Sequence, residues 1–319
     1  MSIKQQFIEL EQFLKSRIIG QHDLVHKMLI ALLADGHLLV EGAPGLAKTR
    51  AIKELSTAVE GDFHRIQFTP DLLPADLTGT EIYRPQDGSF HFQKGPLFHN
   101  MILADEINRA PAKVQSALLE AMAERQITVG SHSFPLPQLF LVMATQNPIE
   151  QEGTYPLPEA QLDRFLMQVI VDYPEAEAEA EILALNRQEA LTGESTLANP
   201  LSQQNLFDAR KEVLSTYMAP EIEEYLVHLI ISTRQPEKLN GSLASYIEYG
   251  ASPRATIALD RCARANAWLN NRDYVTPGDV QTVLFDILRH RIILSYQAEA
   301  EGVTADAIID ELIKQVPTP

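Results

Sequence analysis

Apolar positions in the first half of the chain fall into five short, nearly continuous runs. They occupy residues 37–41, 63–68, 101–105, 139–144 and 167–172, as in His37-Leu-Leu-Val-Glu41 and Leu139-Phe-Leu-Val-Met-Ala144. Runs of this length, apolar at successive positions, predict strands covered on both faces. Between them the spacing turns helical, for example over 48–59 and 112–123. Strand alternating with helix predicts a three-layer α/β unit, a parallel sheet with helices on both sides.

The pattern changes after Tyr173-Pro174. Residues 175–188 are rich in Ala, Glu and Leu, and 191–200 are looser, with Gly, Ser, Asn and Pro. From 201 onward only helical periodicity is present, over 221–233, 252–270, 276–290 and 304–315. Ser252-Pro253 and Thr276-Pro277 each put a capping residue before a first-turn proline, a helix-start signal. The expected organisation is an α/β unit over 1–174, a connecting helix and linker over 175–200, and a smaller all-helical unit over 201–319. The first residues mix charged and apolar positions and predict an amphipathic helix rather than a secretory signal. No internal repeat is visible.

Composition narrows the possibilities. The 319 residues are 45% apolar and 22% charged, enough for a packed interior and too apolar for a disordered chain. No apolar run approaches the 18 or so residues that a membrane helix needs. Cys262 is the only cysteine, which excludes an internal disulfide, fits the cytoplasm, and predicts a buried packing residue. The net charge of −17 argues against a nucleic-acid partner, because an acidic chain repels phosphate backbones. The nine histidines show no metal-ligand spacing.

The strongest chemical signal is Gly42-Ala43-Pro44-Gly45-Leu46-Ala47-Lys48-Thr49, between a predicted strand and a predicted helix. This is the context of a P-loop. Backbone N–H groups and the helix N-terminus receive phosphates, the lysine adds a full charge, and the Thr49 hydroxyl ligates Mg²⁺. Ala47 departs from the general pattern, which has glycine there. Alanine fits if its φ is negative, as in a first helical residue. The plainer reading of the segment is a Gly/Pro turn before an ordinary helix.

A second signal is Met101-Ile-Leu-Ala-Asp105-Glu106, an apolar strand ending in two carboxylates. If this strand ends beside the P-loop strand, Asp105 lies near Thr49 and a hard metal ion, and Glu106 stands where an attacking water needs a base. A pair of surface acids at a strand end is the plainer alternative. The next strand ends in Ala144-Thr145-Gln146-Asn147-Pro148, where Asn147 is either a turn residue or a donor to a γ-phosphate.

The order of these motifs, followed by Asp163-Arg164-Phe165 and Ser252-Pro253-Arg254, resembles the AAA+ superfamily. More closely, Glu41 to Thr49, Ala104-Asp-Glu-Ile-Asn-Arg-Ala110, Ala144 to Pro148, Leu157 to Phe165 and Gly250-Ala-Ser-Pro-Arg-Ala255 resemble signatures of the MoxR family. In that family alanine commonly precedes the P-loop lysine. The resemblance implies an AAA+ P-loop core followed by a helical lid, with ATP and Mg²⁺ as cofactors. By it, Lys48 and Thr49 correspond to Walker A, Asp105 and Glu106 to Walker B, and Asn147 to sensor 1. Arg164 corresponds to an arginine finger that reaches a neighbouring subunit, and Arg254 to the sensor 2 arginine. Ile19 and Gly20, in Arg17-Ile-Ile-Gly-Gln21, correspond to the adenine loop; a helix end with core isoleucines is the other reading. Arg109 is a further candidate near the γ-phosphate or the subunit boundary.

Two hairpin patterns, Tyr83 to Phe92 with an Asp87-Gly88 turn and Ile127 to Phe134, match insertions that the resemblance places at a ring pore. The implied function is ATP hydrolysis by a homo-oligomeric ring, hexameric by resemblance, that remodels or matures client proteins, often with von Willebrand A-domain partners. A chelatase-type motor subunit, a nucleotide-gated scaffold with slow turnover, and a DNA-directed motor are the alternatives. The charge argues against the last.

Overall fold

The computed structural model describes residues 2–86, 88–148, 153–193, 195–239 and 243–319. Asp87 of the expected turn lies outside them. Five strands among the described residues form one parallel sheet. They are β1 (Leu38–Gly42), β2 (Phe63–Gln67), β5 (Met101–Asp105), β8 (Leu141–Gln146) and β9 (Met167–Val171), in the order β2-β5-β8-β1-β9. Two antiparallel hairpins interrupt them, β3 (Gly79–Arg84) with β4 (Ser89–Lys94), and β6 (Gln126–Val129) with β7 (His132–Pro135).

The sheet explains the apolar runs. Side chains alternate across it, so each central strand feeds two cores. Leu38 and Val40, Met101 and Leu103, and Leu141 and Met143 face one core. Leu39, Ile102, Ala104, Val142 and Ala144 face the other. The edge strand β2 carries His64, Arg65 and Gln67 exposed, because an edge is covered less.

The order corrects one expectation. β5 is not the immediate neighbour of the P-loop strand β1; β8 lies between them, pairing both. All three strands end on the same side of the sheet. Asp105 and the loop after Gly42 therefore still converge, with the tip of β8 in the middle.

Helices Ile3–Arg17, His22–Leu33, Gln203–Leu214, Pro220–Arg234, Pro253–Leu269 and Pro277–Leu288 share one continuous core with the first sheet face. Ser252 caps the helix Pro253–Leu269 by accepting from the Arg254 N–H, and Thr276 forms a capping box with Asp279. A short ladder, Ile247–Tyr249 with Ile293–Leu294, adds strand where the sequence shows only helical periodicity. It is too brief to carry a period. Cys262 is buried, and burial pushes its thiol up to about 12, so it is unreactive. Among the described residues no helix is long and apolar enough to cross a membrane.

A buried histidine just before β1 ties that strand to the start of β8, at the end of the sheet away from the P-loop. His37 Nδ1 accepts the Val142 N–H at 3.1 Å. Burial, with Arg125 nearby, pulls its pKa down to about 4. An unfolded histidine titrates near 6.5. The unfolded chain therefore binds the extra proton first, and stability is lost as pH falls from about 6.5 to about 4, by at most on the order of 3 kcal/mol for this group. Chemical denaturation of a His37→Gln variant should show a shallower loss over that window than the unmodified chain. Equal slopes would remove His37 from the acid response.

Candidate active site

The P-loop grows from β1. A Cβ on Gly42 would meet the Val171 carbonyl oxygen at 2.5 Å, so the loop leaves the sheet where only glycine fits. The turn then passes through Gly45 at φ +84°. Ala47 follows at φ 58° and ψ 12°, in the left-handed region. This overturns the negative φ expected there. A left-handed alanine costs roughly 1–2 kcal/mol, and such strain is found where the surroundings fix the backbone for function. The Ala47 carbonyl still accepts the Ala51 N–H at 2.8 Å, so the helix Lys48–Ala58 starts immediately after the strained residue.

Lys48 Nζ donates to the carbonyls of Gly42 and Ala43, the latter at 3.1 Å. Burial lowers its pKa, and Asp105, Glu106 and Glu41 push back. A cavity of about 340 Å³ is lined by residues 44–50, Asp105, Glu106, Thr145, Gln146 and Asn147. Gly42 and Ala43 do not line it; they anchor the lysine from behind. The structure thus brings Lys48, Thr49, Asp105, Glu106 and Asn147 together.

Asp105 is buried and tightly held. Its Oδ1 accepts the Thr145 hydroxyl at 2.6 Å, and its Oδ2 accepts Arg65 Nη2 at 2.6 Å and Nε at 3.1 Å. The same Thr145 oxygen accepts the Glu106 N–H at 2.9 Å. Glu106 sits at φ 57°, a second strained non-glycine residue. Its carboxylate accepts Gln67 Nε2 at 2.7 Å and pairs with Arg109 Nε at 3.2 Å. Thr145, Arg65 and Gln67 were not singled out in the sequence. Ala104 pairs with Ala144, which sets Asp105 and Thr145 side by side on neighbouring strands, a register that the sequence alone does not report.

The donor set fits Mg²⁺. Thr49 and Asp105 offer oxygen ligands in one cavity, and Asp105 Oδ1, which accepts only the Thr145 hydroxyl, keeps a second lone pair while Oδ2 takes both Arg65 bonds. Among the described residues no group of three or more His, Cys, Asp or Glu side chains could hold a metal alone. Mg²⁺ is commonly held by one or two carboxylates with phosphates and waters.

A second cavity of about 120 Å³ adjoins the first across the shared residues 45–47 and Arg50. Ile18, Ile19, Leu46, Pro174, Ile182 and Leu185 make it apolar. Gly20 does not line it. At φ +77° it lets the chain turn under Pro174, whose Cβ would lie 2.8 Å from an added side chain. The outer wall comes from the helix Ala176–Thr192, expected only as a connector.

Arg164 and Arg254 line neither cavity. They share a third, of about 330 Å³, with Arg125, Arg261, Arg291, Asp35 and Asp163. Asp163 does not pair with Arg164. Its oxygens take Arg291 Nε at 2.8 Å, the Ser252 hydroxyl at 2.8 Å and Arg254 Nη1 at 3.5 Å. Arg164 Nη1 instead donates to the Leu119 carbonyl at 2.6 Å.

Thr145→Val keeps the shape of the side chain but leaves the Glu106 N–H without its acceptor. It should lower unfolding free energy by roughly 1–3 kcal/mol, measured by denaturant titration. No change would show that the hydroxyl does not bridge the two acids.

Comparison with known proteins follows the same lines. Residues 37–167 match the family model described as ATPase family associated with various cellular activities (AAA), and residues 243–312 match the AAA lid domain. The chain is 46% identical to Chaperone MoxR1 of Mycobacterium tuberculosis, over 96% of this chain and 80% of that one. It is 34% identical to Protein MoxR of Paracoccus denitrificans, over 98% and 96% of the two chains. A crystal structure from Cytophaga hutchinsonii superposes with a TM-score of 0.92 at 46% identity, covering 99% of this chain and 96% of that one. With its P-loop, paired acids and helical lid in this order, the chain belongs to the MoxR family of AAA+ ATPases.

Proposed function

We propose that the chain is a Mg²⁺-dependent ATPase that assembles into a ring, with each ATP held between two protomers, and that the ring remodels or matures client proteins. One observation carries this reading. Lys48, Thr49, Asp105, Glu106 and Asn147 line one cavity, while Arg164 and Arg254 line another that shares no residue with it. A complete site needs both sets, so the arginines serve the P-loop cavity of a neighbour.

The charge distribution supports the same arrangement. The arginine cavity gathers five arginines against two aspartates on a chain of net charge −17. Arg254 lies in the first turn of its helix, where the dipole disfavours a cation. Held beside Asp163, it presents a charge suited to an incoming anion.

Each residue then has a task. The P-loop N–H groups and Lys48 bind the β- and γ-phosphates. Thr49 and Asp105 would hold Mg²⁺, which would supply charge neutralisation at the phosphate oxygens. Glu106 accepts a proton from the attacking water, oriented by Gln67 and Arg109 on its carboxylate. Asn147 offers an amide to the γ-phosphate or that water. The neighbour's Arg164 and Arg254 neutralise charge that develops on the transferred phosphoryl group. The products are ADP and phosphate.

The client surface follows from the hairpins. Tyr83 is 53% and Phe90 67% exposed on β3–β4, and Phe92 stacks on Phe134 of β6–β7 at 4.2 Å between ring centroids. The stack holds the two hairpins together, and the exposed aromatics of β3–β4 offer an apolar surface for a polypeptide. A von Willebrand A-domain protein is the partner class that the family resemblance implies, and a hexamer the ring size. Work in the cytoplasm suits a chain with one buried cysteine.

Glu106→Gln should bind ATP and assemble yet hydrolyse it at least 100-fold more slowly; near-normal turnover would remove Glu106 from its role. Arg164→Ala and Lys48→Ala should each be inactive, and mixing them should recover part of the activity at hybrid boundaries. No recovery in well-mixed oligomers would contradict a finger acting in trans.

A further inference from the structure

The apolar cavity beside the P-loop has an unusual wall. The helix Ala176–Thr192 contributes Ile182, Leu185 and Asn186 to it, yet buries none of its own residues. What fastens it is ionic. Glu189 pairs with Arg17 at 2.6 Å and with Arg50, and Arg17 and Arg50 reach Glu54 at 3.3 and 3.6 Å. These four charges lash the wall helix to the P-loop helix and to the end of the helix Ile3–Arg17.

That lashing commits most polar groups around the cavity. Arg17 and Arg50 are held by Glu54 and Glu189. The Gln21 amide nitrogen donates to the Asp172 carbonyl at 2.7 Å. Asn186 is different: among the described residues no hydrogen bond or ion pair engages its side chain. It stands one turn before the Glu189 anchor, on the wall facing the P-loop residues 45–47.

We infer that Asn186 reads the polar edge of the nucleotide base. The inference rests on ATP binding at the P-loop and names a specificity residue for it. A side-chain amide carries one acceptor and two donor hydrogens. An adenine presents a 6-amino donor beside a ring-nitrogen acceptor, and the amide complements both. The apolar residues Ile19, Leu46 and Ile182 line the same cavity and suit the faces of a base, and the Asn186 amide suits its polar edge. The amide can turn, so it also complements the edge of guanine; it selects for a hydrogen-bonding purine edge rather than for adenine alone.

The test is equilibrium binding by calorimetry with Mg²⁺, comparing the full chain with Asn186→Ala. Three probes are used: ATP, the triphosphate of purine riboside (which lacks the 6-amino group), and inorganic tripolyphosphate. One lost pair of bonds at an exposed site predicts ATP binding weaker by roughly 3- to 10-fold. The variant should lose clearly less for the purine riboside compound and nothing for tripolyphosphate. Unchanged ATP affinity would overturn the proposal. So would equal losses for all three probes, which would mark Asn186 as structural. Failure of the unmodified chain to bind ATP while still binding tripolyphosphate would place the base elsewhere; failure to bind either would overturn the parent reading instead.

Discussion

The Thr145 hydroxyl donates to Asp105 and receives the Glu106 N–H, and these two bonds join the tip of β5 to the tip of β8. Much of the P-loop end depends on that junction. Without it, Glu106 has little reason to stay in the left-handed region, where its carboxylate meets Gln67 and Arg109. A buried carboxylate such as Asp105 also needs more than one partner, and Thr145 and Arg65 supply them from the strands on either side. The position of β8 between β5 and β1 makes the junction possible. The parallel sheet therefore sets the distance from the acids to the P-loop, and the hydroxyl sets their orientation.

Arg164 and Arg254, the residues proposed to complete the site, line a different cavity. They come from segments distant in sequence, one from the segment before β9 and the other from the first turn of the helix Pro253–Leu269. Asp163, Arg291 and Ser252 clamp these segments together. The helices after residue 201 also share a core with the sheet, so the arginines stand on a continuous framework rather than on a loose appendage. A framework of this kind holds cations at fixed positions, which is what the proposed stabilisation of a transferred phosphoryl group in a neighbour's site would require.

Much of this was legible in the residues. The five apolar runs gave the sheet strands to within two residues at most ends, because both faces of a buried strand must be apolar. The P-loop segment and Asp105-Glu106 were legible as candidates because each is a run of adjacent residues, and the structure brings them to one cavity. What escaped was long-range. Thr145, Arg65 and Gln67 act through register between strands distant in sequence. The wall helix Ala176–Thr192 looked like a connector because it carries no buried stripe, and its place comes from Glu189 meeting Arg17 and Arg50. The left-handed Ala47 also ran against the reading, since nothing local reports that the loop overrides alanine's preference.

The central claim is that a complete site forms only between protomers. The measurement that tests it most directly is ATP turnover per chain against protein concentration, in Mg²⁺, with light-scattering mass recorded on the same samples. The account predicts specific activity that rises as the mass moves from monomer to ring. Full activity in a monomer, independent of concentration, would contradict it and return Arg164 to a structural role.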